Sequence, residues 1–381
     1  ADMIGFGLVI PLLPYYAKQF HASDIIIGFL TMIYPVGQLF AAPLIGRLSD
    51  KFGRKIALIL SVGGTFFSLL LLGFAKSLVL IFTSRLVDGL TGGNITVAQS
   101  YISDFTDEKS RSKSLGIVGA AFGLGFILGP ALGGFLSKWG LSVPAFFAAG
   151  LSFVNLTNII FLLPDSKPSL NPKQVPYTFE ELKKTFSQKT VSNLLLTKFF
   201  YSLGFTMFES SFALFSMRRF NLAISQTSFI LTYLGIIIVT VQGFLVGKIS
   251  KKFTEYKLVK FLFPISTVLL TIYSFSKNIP TLLIILTPLS ISSALVGVSL
   301  TSLSTKVVSK DRLGGVLGIF NSVDSLTRIF SPLFGAIVIQ FFGPNYLGIV
   351  IGTFLAIGYL IFSLKFNSNF VKSKEIVPES N

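Results

Sequence analysis

Apolar runs about as long as a bilayer is thick recur along the whole chain, and no other feature limits its fold so strongly. A helix needs roughly 20 apolar residues to cross the hydrocarbon core. Lipid offers the backbone no hydrogen bonds, so a chain built of such runs must satisfy itself as helices. Reading the runs between charged or Pro/Gly-marked breaks predicts twelve helices, over residues 1–17, 25–46, 56–75, 78–103, 114–137, 142–163, 194–216, 224–247, 258–276, 280–304, 314–342 and 346–364. Only 13% of the residues are charged and Phe occurs 41 times, whereas a soluble domain carries about 25% charged residues. The expected fold class is therefore an all-α membrane protein.

The net charge of +16 would suit a nucleic-acid partner, but its placement argues otherwise. Of the 32 Lys and Arg residues, 24 fall in one alternate set of breaks and 6 in the other. The rich set includes Arg47, Lys51, Arg54 and Lys55, then Lys189 ahead of the seventh run and Lys198 at its entrance, counted with that break. By the positive-inside rule this asymmetry predicts an even helix count, both termini in the cytoplasm and a lipid bilayer, not nucleic acid, as the partner. Cys is absent and His21 is the single His, so neither a thiolate or multi-His metal site nor a His-based catalytic site can be assembled. No enzyme and no cofactor is expected. The chain opens at Ala1 inside an apolar run, which reads as a first helix truncated at its N-terminus.

Three echoes divide the chain. "GRLSDKFGRKIAL" from Gly46 answers "GKISKKFTEYKLV" from Gly247, "SLGI" answers "VLGI", and "GPALGG" answers "SPLFGA", at offsets of 201, 202 and 202. A constant offset implies duplication. Two six-helix halves of the same orientation form a parallel repeat, the arrangement in which transporters bind substrate near the midplane. The expected organisation is a bundle over 1–163, a cytoplasmic loop over 164–190 with a short amphipathic piece "FEELKKTF", a second bundle over 191–365 and a cytoplasmic tail over 366–381.

Charges inside the apolar runs mark the functional candidates, because an ionisable group in lipid is costly and usually functional. Glu209, in "FTMFESSFALF", has no partner on its own helix: positions 205, 206, 212 and 213 are Phe, Thr, Phe and Ala. Reversible protonation is the role such a carboxyl can fill, and a neutral carboxyl bonded to a neighbouring helix is the plainer account. Asp2 lies about 14 residues from the end of the first run near Tyr16, roughly 21 Å at 1.5 Å per residue, and so within the cytoplasmic third of the core. Arg85 and Asp88 are three apart on one face and can pair internally. Asp324 and Arg328 have i,i+4 spacing, which predicts a pair within their own helix. Gln38, Asn94, Gln99, Asn155, Asn158, Gln242 and Asn321 either line a cavity or tie helices together.

Two glycine motifs complete the set. In "GRLSDKFGRK", Gly46 and Gly53 permit a tight turn and a close helix approach, and Asp50 is expected at a helix N-terminus beside Arg54 or Lys55. In "GFILGPALGG", Gly125, Gly129 and Gly133 share a face that lets helices pack closely, Gly134 follows, and Pro130 removes one backbone bond.

These motifs resemble those of the major facilitator superfamily over essentially the whole chain. The loop is similar to that family's signature G-x-L-a-D-r-x-G-r-k-x-x-l at Gly46, Leu48, Asp50, Gly53, Arg54, Lys55 and Leu58. "GFILGPALGG" resembles the helix 5 motif of drug antiporters, "DMIGFGLVIPLLP" resembles helix 1 of tetracycline and related exporters, and "SRLVDGLTGG" resembles the helix 4 motif through Arg85 and Gly89. The resemblance implies secondary active transport by alternating access. Asp50 and Arg54 would form a cytoplasmic gate, Arg85 would face the cavity, and Glu209, with Asp2 and Asp324, would carry coupling protons. It further implies a monomer in the plasma membrane, or alternatively a vesicular one, that exports small lipophilic compounds on the proton gradient. The runs expected to be helices 3, 8 and 9 lack the His and carboxylates of tetracycline exporters, which argues against tetracycline itself. A facilitator or symporter of a metabolite is the alternative within transport. A sensor or scaffold is the alternative outside it, and the longest loop leaves no room for a soluble sensing domain.

Overall fold

The structure, a computed structural model, describes residues 1–106, 108–165, 188–306 and 313–365. These form two compact units. The first holds residues 1–165 and 210–236, and the second holds 188–209 and 237–365.

In the first unit the chain runs through α1 (Asp2–Val9), α2 (Leu12–Lys18), α3 (Asp24–Phe52), α4 (Arg54–Gly73), α5 (Leu78–Leu90), α6 (Asn94–Phe105), α7 (Glu108–Leu136) and α8 (Ser142–Leu162). It is joined by the last part of α9 (Lys189–Phe220) and most of α10 (Ile224–Thr240). In the second unit, α10 passes through a π-helical turn (Val241–Leu245) into α11 (Val246–Ile249). There follow α12 (Glu255–Ile272), α13 (Ile279–Lys306), α14 (Leu313–Phe342) and α15 (Leu347–Lys365). Together the helices trace the twelve predicted spans.

Nine spans among the described residues are long and apolar enough to cross a membrane. The other three are the broken α1/α2, the broken α5/α6, and α9. They carry Asp2, the Arg85–Asp88 couple, and Lys198 with Glu209. Intramembrane charge is not confined to these three, since α14 qualifies as an apolar span and carries Asp324 and Arg328.

The two breaks have local causes. Between α1 and α2 the chain meets Pro11, which has no N–H to continue the ladder. The fourth span, expected as one helix over 78–103, is instead interrupted at Thr91–Gly93. Ser61 of α4 repairs this gap: the Gly93 N–H donates to its Oγ at 3.2 Å, and its hydroxyl donates to the Thr91 carbonyl. Irregular backbone at membrane depth persists only where such partners exist.

Helix contacts rest on small residues, because lipid is as apolar as leucine and gives no hydrophobic drive between helices. A Cβ on Gly129 would stand 2.6 Å from the Gly7 carbonyl carbon, one on Gly7 2.5 Å from the Gly125 oxygen, and one on Gly133 3.1 Å from the Leu8 oxygen. The expected glycine face of α7 therefore meets the backbone of α1. Gly134 does the same against α10, where a Cβ would lie 2.6 Å from the Ser228 Cβ. Large apolar side chains such as Phe67, Phe161, Ile284 and Phe341 are exposed, as a lipid-facing surface requires. The expected loop piece "FEELKKTF" and the tail over 366–381 lie outside the described residues.

Candidate functional site

In the signature loop, Gly53 closes α3 and opens α4 with φ 97°, a backbone that favours glycine. Gly46 does not make the predicted close approach: it lies inside α3, and a Cβ there would meet nothing within 4 Å. Asp50 is likewise in the last turn of α3, not at a helix N-terminus. The turn falls at Gly53, so Asp50 faces the negative end of one helix dipole and Arg54 the positive end of the next. They neutralise each other. Arg54 donates to Asp50 at 2.5 Å, to Ser49 at 3.0 Å and through Nε to Asp104 Oδ2 at 2.9 Å. Lys55 pairs with Asp165 at 3.2 Å. Asp104, from the end of α6, was absent from the sequence reading because nothing local ties it to Arg54.

Deeper in the first unit, Arg85 (4% exposed) and Asp88 (7%) form the anticipated internal pair at 3.0 Å. Ser84 accepts from Arg85 at 3.4 Å, and Thr65 and Ser68 of α4 bring hydroxyls to Asp88. The Arg85 Nε is buried without a partner among the described residues. Asp2 accepts from the Asn94 amide at 2.7 Å and from the Asn155 amide at 2.9 Å, one on each oxygen. The structure therefore selects helix tying for these two asparagines.

The second unit holds the other acids. Glu209 is half-buried on α9, without a hydrogen bond among the described residues, and the opposite charge acting on it is Arg328 of α14. The predicted Asp324–Arg328 pair does not form. Asp324 pairs across helices with Lys198 at 3.2 Å and accepts from the Ser202 hydroxyl at 2.6 Å. Lys198, counted from the sequence with the cytoplasmic break, sits about two and a half turns inside α9 with its side chain 12% exposed. Its distance from Glu209, 11 residues or about three helical turns, was the available clue that both share a face. Tyr201 donates to the Ser293 carbonyl at 2.8 Å and fixes α9 against α13.

One further cluster escaped the sequence reading. Asp24 opens α3, is 2% exposed, and accepts from Arg218 of α9 through Nε at 3.0 and 3.1 Å and through a terminal nitrogen at 2.8 Å. Lys18 adds a contact at 3.1 Å. Nearby, Tyr15 bonds the Thr227 hydroxyl at 2.6 Å.

A sequence profile described as Major Facilitator Superfamily matches residues 1–270 and 194–380. The chain belongs to the Major Facilitator Superfamily. Among superfamily relatives, it is 28% identical over 343 residues to multidrug resistance protein 2 of Bacillus subtilis (strain 168), covering 88% of this chain and 85% of that one. It is 30% identical over 347 residues to the class B tetracycline resistance protein of Escherichia coli, covering 88% and 85%. Two solved structures share the superfamily fold. A bacterial homologue of the human lysosomal transporter Spinster matches with a TM-score of 0.80 at 16% identity, covering 99% of this chain and 96% of the other. The human organic anion transporter MFSD10 (TETRAN) matches with a TM-score of 0.71 at 22% identity, covering 94% and 96%. This superfamily member is thus a multi-pass membrane transporter of small molecules and not an enzyme.

Proposed function

We propose that the protein exports small lipophilic organic compounds across the plasma membrane in exchange for protons, by alternating access. The observation that carries the reading is Glu209: a half-buried intramembrane carboxyl with no hydrogen bond among the described residues and an arginine within electrostatic reach. A group so placed can release its proton to one compartment and regain it from the other. A buried carboxyl kept only for structure would be hydrogen-bonded. Similarity to multidrug and tetracycline resistance proteins over most of the chain supports export over uptake.

In this reading Asp2 and Asp324 are accessory acids, and Arg85, Asp88 and Arg328 set the charge around the transport path. Gly46, Asp50, Gly53, Arg54 and Lys55 form the cytoplasmic gate, and Gly125, Gly129, Pro130, Gly133 and Gly134 form the packing motif of α7. The transporter works as a monomer, both termini are cytoplasmic and the proton gradient is the energy source.

The test is transport of a panel of lipophilic cations and neutral drugs into proteoliposomes, with and without an imposed pH gradient. Accumulation that follows the gradient supports antiport. Equilibration that ignores it would replace this reading with a facilitator.

A further inference from the structure

We infer that Lys198 is a positioning residue for proton coupling: by holding Asp324, it leaves Arg328 to serve Glu209. The inference rests on Glu209 being the proton site.

Two helices of the second unit present four charges in alternating order. Lys198, Ser202 and Glu209 follow one another along α9 at spacings of four and seven residues, which keeps them on one face. Asp324 and Arg328 are four apart on α14, the spacing at which an acid and a base on one helix ordinarily meet. They do not meet. Both Asp324 oxygens are taken from across the gap, one by Lys198 at 3.2 Å and the other by Ser202 at 2.6 Å. Ser331 of α14 donates to the Leu203 carbonyl at 3.0 Å and holds the helices in register. Denied its neighbour, Arg328 has no carboxylate within 4 Å among the described residues, and its field falls on Glu209.

Among the described residues, no other helix of this unit supplies a free competing anion. α11 carries Lys248, α12 carries Glu255, Lys257 and Lys260 in its first two turns, with Glu255 paired to Lys306 at 2.8 Å, and α13 and α15 carry only Lys306 and Lys365 at their last residues. Beside Glu209 on α9 the hydroxyls of this unit are Tyr201, on the same helix, and Tyr273, whose ring stacks edge-on to Phe208, while Lys189 and the Arg218–Asp24 pair stand at the two ends of α9. With Glu255 held by Lys306, Asp324 is the anion among the described residues of this unit that competes with Glu209 for Arg328, and Lys198 is what occupies it.

The consequence is a link between protonation and helix contact. When Glu209 takes a proton, Arg328 loses its anion and Asp324 becomes its best partner, in competition with Lys198. Loading the proton thus loosens the bond between α9 and α14, and unloading restores it.

The test measures gradient-driven transport against pH in proteoliposomes for four proteins. In Lys198→Met, Asp324 is free to capture Arg328, Glu209 loses its counter-charge, and the midpoint of the pH profile moves to higher pH by about one unit. Lys198→Arg keeps the wild-type midpoint. In the double variant Lys198→Met/Asp324→Asn the competing anion is gone, Arg328 returns to Glu209, and the midpoint returns towards wild type. A lysine that only braces the helices would alter rate or stability without moving the midpoint, and the double variant would not recover it; either result overturns the inference. Glu209→Gln is the separate control. If it still transports uphill, the function proposed for Glu209 fails; if it does not and Lys198→Met leaves the midpoint in place, only the role of Lys198 fails.

Discussion

Lys306 donates to Glu255 at 2.9 Å, at the place in the second repeat where Arg54 donates to Asp104 at 2.9 Å in the first. Glu255 lies 201 residues after Arg54 and Lys306 lies 202 after Asp104, so the offsets are those of the sequence echoes. The signs are exchanged while the tether, from the start of one helix to the end of the next span, is kept. Exchanging the charges again, as Glu255→Lys with Lys306→Glu, should leave the thermal midpoint of the detergent-solubilised protein within a degree or two of wild type. Lys306→Glu alone should lower stability by on the order of 1 kcal/mol, because the pair is partly exposed. Equal losses in the single and double variants would contradict the tether.

The backbone contact of α7 with α1 predicts a sharp position dependence for added methyl groups. Gly129→Ala places a Cβ 2.6 Å from the Gly7 backbone and should cost about 1–3 kcal/mol by overpacking. Gly116→Ala, on the same helix with nothing within 4 Å, should be neutral or slightly stabilising, since alanine is the better helix former. Thermal denaturation in detergent of the two variants side by side decides the point.

Arg218→Ala should destabilise by about 2 kcal/mol. It leaves the buried Asp24 with Lys18 as its remaining cation, and an acid deprived of a partner inside a protein is expensive. Arg218→Lys should recover part of the loss, since it restores the charge and not the two-pronged geometry. Recovery equal to wild type would show that the fork contributes nothing.

Asp2 predicts a different behaviour. The Asn94 side-chain oxygen accepts from the Ile95 N–H at 2.9 Å, which fixes its amide nitrogen on Asp2. In Asp2→Asn one new NH₂ would have to face an amide donor, at a cost of about 1 kcal/mol. Asp2→Asn should therefore be less stable than wild type, and the further change Asn155→Asp should restore an acid–amide pair and part of the stability. Melting curves of the single and double variants check this.

The sequence made the long apolar runs, the duplication and the glycine face of α7 legible because each is a pattern along one helix. What it hid are relations between helices. Lys198 counts with the cytoplasmic break because a cation near a helix entrance is common on the positive-inside face, and only its contact with Asp324 reveals its place. Asp324 and Arg328 have ideal local spacing and yet do not pair, since α9 offers Asp324 two better-placed donors. Asp24 and Arg218 are 194 residues apart, with nothing in either neighbourhood to announce the other. The break at Thr91–Gly93 was hidden for a different reason: paired glycines in a membrane helix serve close packing as readily as interruption, and Ser61 on another helix makes interruption tolerable.

The most direct test of the account is uphill transport by Glu209→Gln in proteoliposomes under an imposed pH gradient, alongside substrate binding to the same variant. The account predicts that the variant binds substrate and equilibrates it but does not concentrate it. Accumulation equal to that of the wild type would remove Glu209 from the coupling mechanism and contradict the central claim.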